Sequence, residues 1–389
     1  METLYQKLEI LLQNTPTDFQ RYLYEKIPWE SRMIGIIGAR GVGKTTMILQ
    51  HIKQKLNNKN ALYVSADDMY FAENRLVDLA DVLYKNGGEY LFIDEIHKYA
   101  DWSRELKNIY DSFPTLKIVF TGSSVLDILK GSADLSRRAL IYKLQGLSFR
   151  EYLKFFHNSD NEVFTLQQII NNEAKLADIK HPLSLFNDYL KRGYYPFALE
   201  NEMNLRLEQI IVQTLETDIP QYANLNVGTS RKLKRLLAII AESVPFKPNF
   251  TKIAEIINAS RNSLDDYFLF MEQAGLIGQL RDATNGIRGL GKVDKVYLDN
   301  TNLVFNLAGD HSNIGNIRET FFLNQMRVNN DVISSKTADF IIGDYRFEVG
   351  AKNKQQKQIE KDGKSFVVKD DIEFGYLNVI PLWAFGLNY

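Results

Sequence analysis

The chain has 389 residues, of which 45% are apolar and 24% charged, and a formal net charge of −1. That length predicts two or three domains, and the charge balance removes any overall pull toward nucleic acid or membrane surfaces, leaving only local patches. There is no cysteine, which excludes disulfides, zinc–thiolate centres and cysteine nucleophiles. No apolar run reaches the roughly 18–20 residues of a membrane helix, and the first residues lack a signal-peptide pattern, so the expectation is a cytoplasmic protein with no membrane partner.

Residues 1–32 read as helical, with Leu4, Leu8, Leu11 and Leu12 at helical spacing until Asn14-Thr15-Pro16 breaks the pattern. Met33–Ile37 is a short apolar run of buried-strand type, and Thr46–Ile52 reads as helix. Between them Gly38–Thr45 reads GARGVGKT, which fits G-x-x-x-x-G-K-[ST] in the strand–loop–helix setting that the motif requires. Glycines at those positions let successive backbone N–H groups turn inward around an anion, at a helix N-terminus that adds partial positive charge. Gly38, Ala39, Arg40, Gly41, Val42, Gly43, Lys44, Thr45 and Thr46 are therefore the candidate nucleotide-binding residues, with ATP and Mg²⁺ as ligands. Lys44 would reach the β- and γ-phosphates, and the Thr45 hydroxyl would help to hold Mg²⁺.

Asn57–Asn60 is a turn, Ala61–Val64 a second strand, and Tyr90-Leu91-Phe92-Ile93-Asp94-Glu95 an apolar strand ending in two carboxylates. A buried strand that delivers Asp to the metal beside a phosphate loop is what a Walker-B element needs, so Asp94 is assigned to Mg²⁺ through water. Glu95 is assigned to orient or deprotonate the attacking water. Leu116–Phe120 is a third clear strand after the first, followed by Thr121-Gly122-Ser123-Ser124. Ser123 or Ser124 could sense the γ-phosphate, or Ser124 could simply cap a helix over Val125–Leu129. Arg137 and Arg138 are candidates for a charge-stabilising arginine, from the same chain or a neighbouring copy; a surface pair at a helix end is the alternative. Alternating strands and helical stretches predict an α/β core with a parallel sheet over residues 1–146.

GARGVGKTT, YLFIDEIHKYADW, VFTGSS, SRRA and Leu147–Leu153 occur in one order. With Gly193-Tyr194-Tyr195-Pro196 and the ending Ile380–Gly386, the series resembles the bacterial and archaeal P-loop ATPases of the AAA+/STAND-like "archaeal ATPase" group. The resemblance implies ATP hydrolysis, an arginine finger at Arg137 or Arg138, and a histidine after Walker B at His97 that could couple nucleotide state to the next helix. It also implies a helical lid over residues 147–227, where Leu183, Phe186, Asn187 and Leu190 keep helical spacing.

Residues 228–298 carry helix-turn-helix spacing with a wing. Leu233, Leu236, Leu237 and Ile240 mark one helix face, Thr251 would cap a second helix, and Ser263–Ala274 is the third, closed by Gly275. The third helix holds Asp265, Asp266 and Glu272 but no Lys or Arg, which favours packing or a protein partner, self-association included, over DNA. In residues 299–389, Glu319 is expected to open a helix, and Ala338–Ile342 and Tyr345–Val349 a hairpin around Gly343-Asp344. Glu319, Asp339 and Glu348 resemble the acid set of the restriction-endonuclease-like fold, a candidate second metal site. Its lysine position is Gly350 here, with Lys352 one strand repeat further as the substitute; solvated carboxylates on a structural hairpin are the alternative. The expectation is a Mg²⁺-dependent ATPase acting as a conformational switch, with an ATP-coupled nuclease or a nucleotide-gated DNA-binding protein as alternatives.

Overall fold

Four of the apolar runs become strands whose residues are buried on both faces: β1 (Met33–Ile37), β2 (Ala61–Ser65), β3 (Tyr90–Asp94) and β4 (Lys117–Gly122). Uninterrupted apolar sequence suits a parallel sheet covered on both sides, because neither face can be polar. A computed structural model describes residues 1–56, 60–123, 135, 137–223, 225, 227–242, 247–282, 292–309, 313–350 and 364–389. These divide into two compact units, Met1–Gly146 and Leu147–Tyr389.

In the first unit a fifth strand, β5 (Leu140–Lys143), joins the other four in the order β2-β3-β4-β1-β5, all pairs parallel. The register sets Ile36 beside Thr121 and Ser65 beside Asp94, so the C-terminal ends of β1, β2, β3 and β4 form one edge. That edge is where an open parallel sheet presents ligands. Helix α1 (Glu2–Asn14) turns Leu4, Leu8 and Leu12 inward. It ends at an extended Thr15, as the residue before a proline should, so the helix expected over residues 1–32 is confined to its first half with a single turn at Tyr24–Lys26. Helix α2 (Lys44–Lys55) follows the phosphate loop. Helices α3 (Leu76–Lys85) and α4 (Trp102–Ser112) bury Leu76, Leu79 and Leu83, and Trp102, Leu106 and Ile109, at helical spacing.

The second unit begins with helices α5 (Phe149–His157), α6 (Leu166–Ile170), α7 (Pro182–Arg192), α8 (Met203–Gln213) and α9 (Ile219–Ala223). On α7 Phe186 and Leu190 are buried and Asn187 is exposed. Three helices follow, α10 (Val227–Glu242), α11 (Phe250–Ile257) and α12 (Arg261–Gln273), then an antiparallel pair, β6 (Ile277–Arg281) and β7 (Val293–Leu298). Leu233, Leu236, Leu237 and Ile240 are all buried. Asn249 rather than Thr251 caps α11, and Ser260 caps α12 two residues earlier than expected, its hydroxyl accepting the Ser263 N–H at 3.1 Å. Gly275, at φ +75°, lies just beyond the α12 cap Ala274.

Helix α13 (Thr301–Ala308) and helix α14 (Ile314–Met326) precede a second sheet. Its strands are β8 (Val332–Ile333), β9 (Phe340–Ile342), β10 (Tyr345–Gly350), β11 (Ser365–Lys369) and β12 (Val379–Pro381). The order is β12-β11-β10-β9-β8, antiparallel from β8 to β10 and parallel from β10 to β12. Phe322 of α14 sits on this sheet, 4.9 Å from Phe340 and 5.3 Å from Phe347 between ring centres. Glu319 lies inside α14 rather than at its start, because Asn313 caps the helix through the Gly315 N–H at 2.8 Å.

Candidate nucleotide site

The loop between β1 and α2 holds a conformation that only its glycines allow. Gly41 and Gly43 have φ of +79° and +96°, and a Cβ on Gly38 would overlap the Leu144 carbonyl oxygen. Lys44, 5% exposed, opens α2 and lays its ammonium on the carbonyls of Gly38 and Ala39 at 2.9 and 3.0 Å. Thr46, two residues along, is exposed. Arg21, a residue with no spacing signal, donates to the Val42 carbonyl and, at 2.7 Å, to that of Gln145. It is buried, and it braces the loop from behind.

Asp94 ends β3 almost fully buried, and three hydroxyls point at its carboxylate. Thr45 donates at 2.7 Å, Tyr63 at 2.9 Å, and Thr121 to the other oxygen. Burial, and then the Asp94 charge, push the Tyr63 phenol far above its ordinary pKa, so it stays a donor. Thr45 and Asp94 touch, giving a hydroxyl and a carboxylate side by side. Hard oxygen donors of this kind fit Mg²⁺.

Glu95 has φ +51°, a left-handed backbone that a non-glycine residue adopts at a cost. Its N–H is fixed by the Thr121 hydroxyl at 3.2 Å. Its carboxylate accepts from the Ser123 hydroxyl at 3.0 Å and faces His97 Nε2 at 3.4 Å and Arg40 at 3.9 Å. Ser123, Glu95 and His97 therefore meet at the same edge as Lys44 and Asp94. Thr121 and Tyr63 were not singled out in the sequence, and both are central here. The signal for Thr121 was its place at the end of β4, one strand from the acid pair.

Arg138 is elsewhere. It forms a two-bond pair with Asp111 near the end of α4, at 3.0 and 3.1 Å, and precedes Leu140, which pairs with Ile34 near the start of β1. Parallel strands put that position at the edge of the sheet opposite the phosphate loop, which corrects the own-chain finger reading for Arg138. Arg137 is exposed. Ser124 and the helix expected after it lie outside the described residues.

In the second unit Glu319 and Asp339 converge on one cation. Lys295 of β7 lies 3.4 Å from Glu319 and 3.6 Å from Asp339, and the Tyr297 hydroxyl donates to Glu319 at 2.7 Å. Burial, then the Asp339 charge, raise the Glu319 carboxyl above its usual range. The Asp339 carboxylate also accepts the Val349 N–H at 2.9 Å. Among the described residues no three acidic or histidine side chains are grouped to hold a metal ion, so Glu348 does not complete a site with the other two. Lys352 lies outside the described residues. No helix among the described residues is long and apolar enough to cross a membrane.

Residues 30–153 match the AAA domain family, and residues 183–313 match a domain of unknown function (DUF8612). An uncharacterized protein of Methanocaldococcus jannaschii is 28% identical over 272 residues, 64% of this chain and 56% of its own length. The match thus spans little more than half of that relative. A Walker-type ATPase of Pyrococcus abyssi is 14% identical, with 79% of this chain and 95% of that chain covered at a TM-score of 0.44. AMPPCP-bound DnaA from Aquifex aeolicus is 12% identical over 69% of this chain and 87% of its own, at a TM-score of 0.28. The AAA-domain match and the five-stranded parallel sheet behind a phosphate loop mark residues 30–153 as a P-loop NTPase core of AAA type.

Proposed function

We propose that the chain binds ATP with Mg²⁺ and hydrolyses it, and that turnover switches the arrangement of its second unit. The observation that carries this reading is the meeting of Lys44, Thr45, Asp94, Glu95 and Ser123 at one edge of the sheet. The loop N–H groups and Lys44 hold phosphate charge, exchanging the Gly38 and Ala39 carbonyls for phosphate oxygens. Thr45 and Asp94 would hold the metal, which supplies charge neutralisation at the transferred phosphoryl group. Glu95 orients and deprotonates the attacking water, with Ser123 and His97 fixing the carboxylate. Little covalent work falls to the protein, so positioning and fixed charge carry the rate. Lys44→Ala should therefore abolish binding of a fluorescent ATP analogue; unchanged affinity in that variant would remove the phosphate-loop reading.

Arg137 is the finger candidate that remains, and being exposed it would serve a neighbouring copy. Residues 228–298 are read as a winged helix: three helices, the second and third capped by Asn249 and Ser260, followed by an antiparallel pair support it. Arg261 opens α12, two residues before the start expected at Ser263, so the helix does carry one basic side chain; the exposed Asp265 and Asp266 still favour a protein partner there over DNA. Residues 299–389 are read as a restriction-endonuclease-like fold used for binding rather than cleavage. The antiparallel-then-parallel sheet supports the fold, and Lys295 seated between Glu319 and Asp339 supports the loss of cleavage. Both readings are tested on DNA with Mg²⁺ and ATP. Plasmid nicking that Asp339→Ala removes, or nanomolar duplex binding with a steep salt slope, would overturn them.

A further inference from the structure

The second unit encloses a cavity of about 300 Å³ between the segment that follows α6 and the approach to β12. Ile169, Leu176, Ile179, Ile380 and Trp383 give it apolar walls. Three polar groups edge it besides Asn172: Lys175, Lys180 and Glu373. The Glu373 carboxylate is taken by His181 Nδ1 at 3.3 Å. Lys175 and Lys180 are exposed, and neither has an ion-pair partner among the described residues.

The rim turns through several left-handed residues, of which Leu377 is the strained one, since Asn and Asp adopt that region readily. Eight non-glycine residues among those described have positive φ, and four of them flank this cavity: Asn172 (+59°), Asp178 (+57°), Asp371 (+53°) and Leu377 (+51°). A leucine in that region is a true outlier, since its Cβ crowds the backbone there. Left-handed strain gathers where a surrounding structure must hold a ligand clamp. Asn172 locks the clamp: its Nδ2 donates to the Leu377 carbonyl at 3.1 Å, and its Oδ1 lies where a Cβ on Gly375 would be. The loop so fixed leaves Phe374 and Leu377 82% and 87% exposed at the mouth.

We infer that this cavity binds a small carboxylate with an apolar tail, the tail among the aliphatic walls and the carboxylate between Lys175 and Lys180. At about 30 Å³ for each carbon-sized group the space admits on the order of ten of them, at the small end of ligand pockets. Two unpaired cations beside an apolar enclosure select an anion with an oily body. The inference does not depend on the nucleotide reading.

The test is calorimetric titration of the full chain with decanoate below its micelle threshold, beside decanol and an apolar peptide with a free C-terminus. Expected are saturable one-to-one binding of decanoate, about tenfold weaker in Lys175→Gln/Lys180→Gln, and decanol binding that the same variant leaves unchanged. Both lysines are exposed, so the variant keeps its fold, checked by thermal unfolding. Gly375→Ala, which displaces Asn172, should also weaken decanoate. Absence of saturable binding, equal decanoate affinity in the lysine variant, or binding of the peptide without decanoate would overturn the inference.

Discussion

Thr121→Val isolates the device that ties both acidic residues of the site, the Asp94 carboxylate and the Glu95 backbone, to β4. The Thr121 hydroxyl is fully buried; it donates to Asp94 and accepts the Glu95 N–H. Valine keeps the shape and removes both bonds, leaving a buried carboxylate oxygen and a buried N–H short of a partner. A bond to a charged group contributes about 1.5–3 kcal/mol and a neutral one about 1 kcal/mol, so the loss should total about 3 kcal/mol. Thr121→Ser, which keeps both bonds, should stay within about 1 kcal/mol of the parent. Urea unfolding followed with a Mg²⁺ titration of ATP turnover reads both consequences. The valine variant should unfold earlier and need more Mg²⁺, because Asp94 loses one of its three hydroxyl donors and is held less firmly. A valine variant within about 0.5 kcal/mol of the parent, with unchanged Mg²⁺ dependence, would refute the reasoning.

His51 is buried against Trp29, with ring centres 4.0 Å apart, and burial lowers its pKa to about 4. The folded state thus resists a proton that the unfolded chain accepts near pH 6.5. Stability from this residue is complete above about pH 6.5 and is withdrawn as pH falls toward 4, by about 3 kcal/mol in all. Urea unfolding of the parent and His51→Phe across that range should show the difference; parallel curves would contradict it. Arg138→Ala should cost under about 1 kcal/mol, as its pair with Asp111 is partly exposed, and should leave turnover per chain unchanged. Arg137→Ala should lower turnover only at concentrations where copies associate; a loss at high dilution would place the arginine in its own site.

The first unit was legible because parallel strands buried on both faces leave continuous apolar runs in the sequence. Strand β5 escaped because it is an edge strand, with Leu140 and Lys143 exposed, and its four residues follow an arginine pair. The phosphate loop and the acid pair announce themselves by spacing. Their supports do not: Arg21, Tyr63 and Thr121 are brought to the site by register and by the turn of the chain, which no local pattern encodes. Lys295 is the same case in the second unit, reaching Glu319 and Asp339 from β7. The helix expected to open at Glu319 starts at Ile314, since Asn313 caps it and Gly315 and Asn316, residues of low helix propensity, lie inside its first turn.

The most direct measurement is single-turnover ATP hydrolysis by the purified chain with Mg²⁺, for the parent and Glu95→Gln. The amide keeps the shape of the side chain and its bond from Ser123 but cannot accept a proton from water. Binding of ATP should be retained while hydrolysis falls by at least about 10²-fold. Hydrolysis at the parental rate in Glu95→Gln, or none in the parent itself, would contradict an ATPase centred on this edge of the sheet.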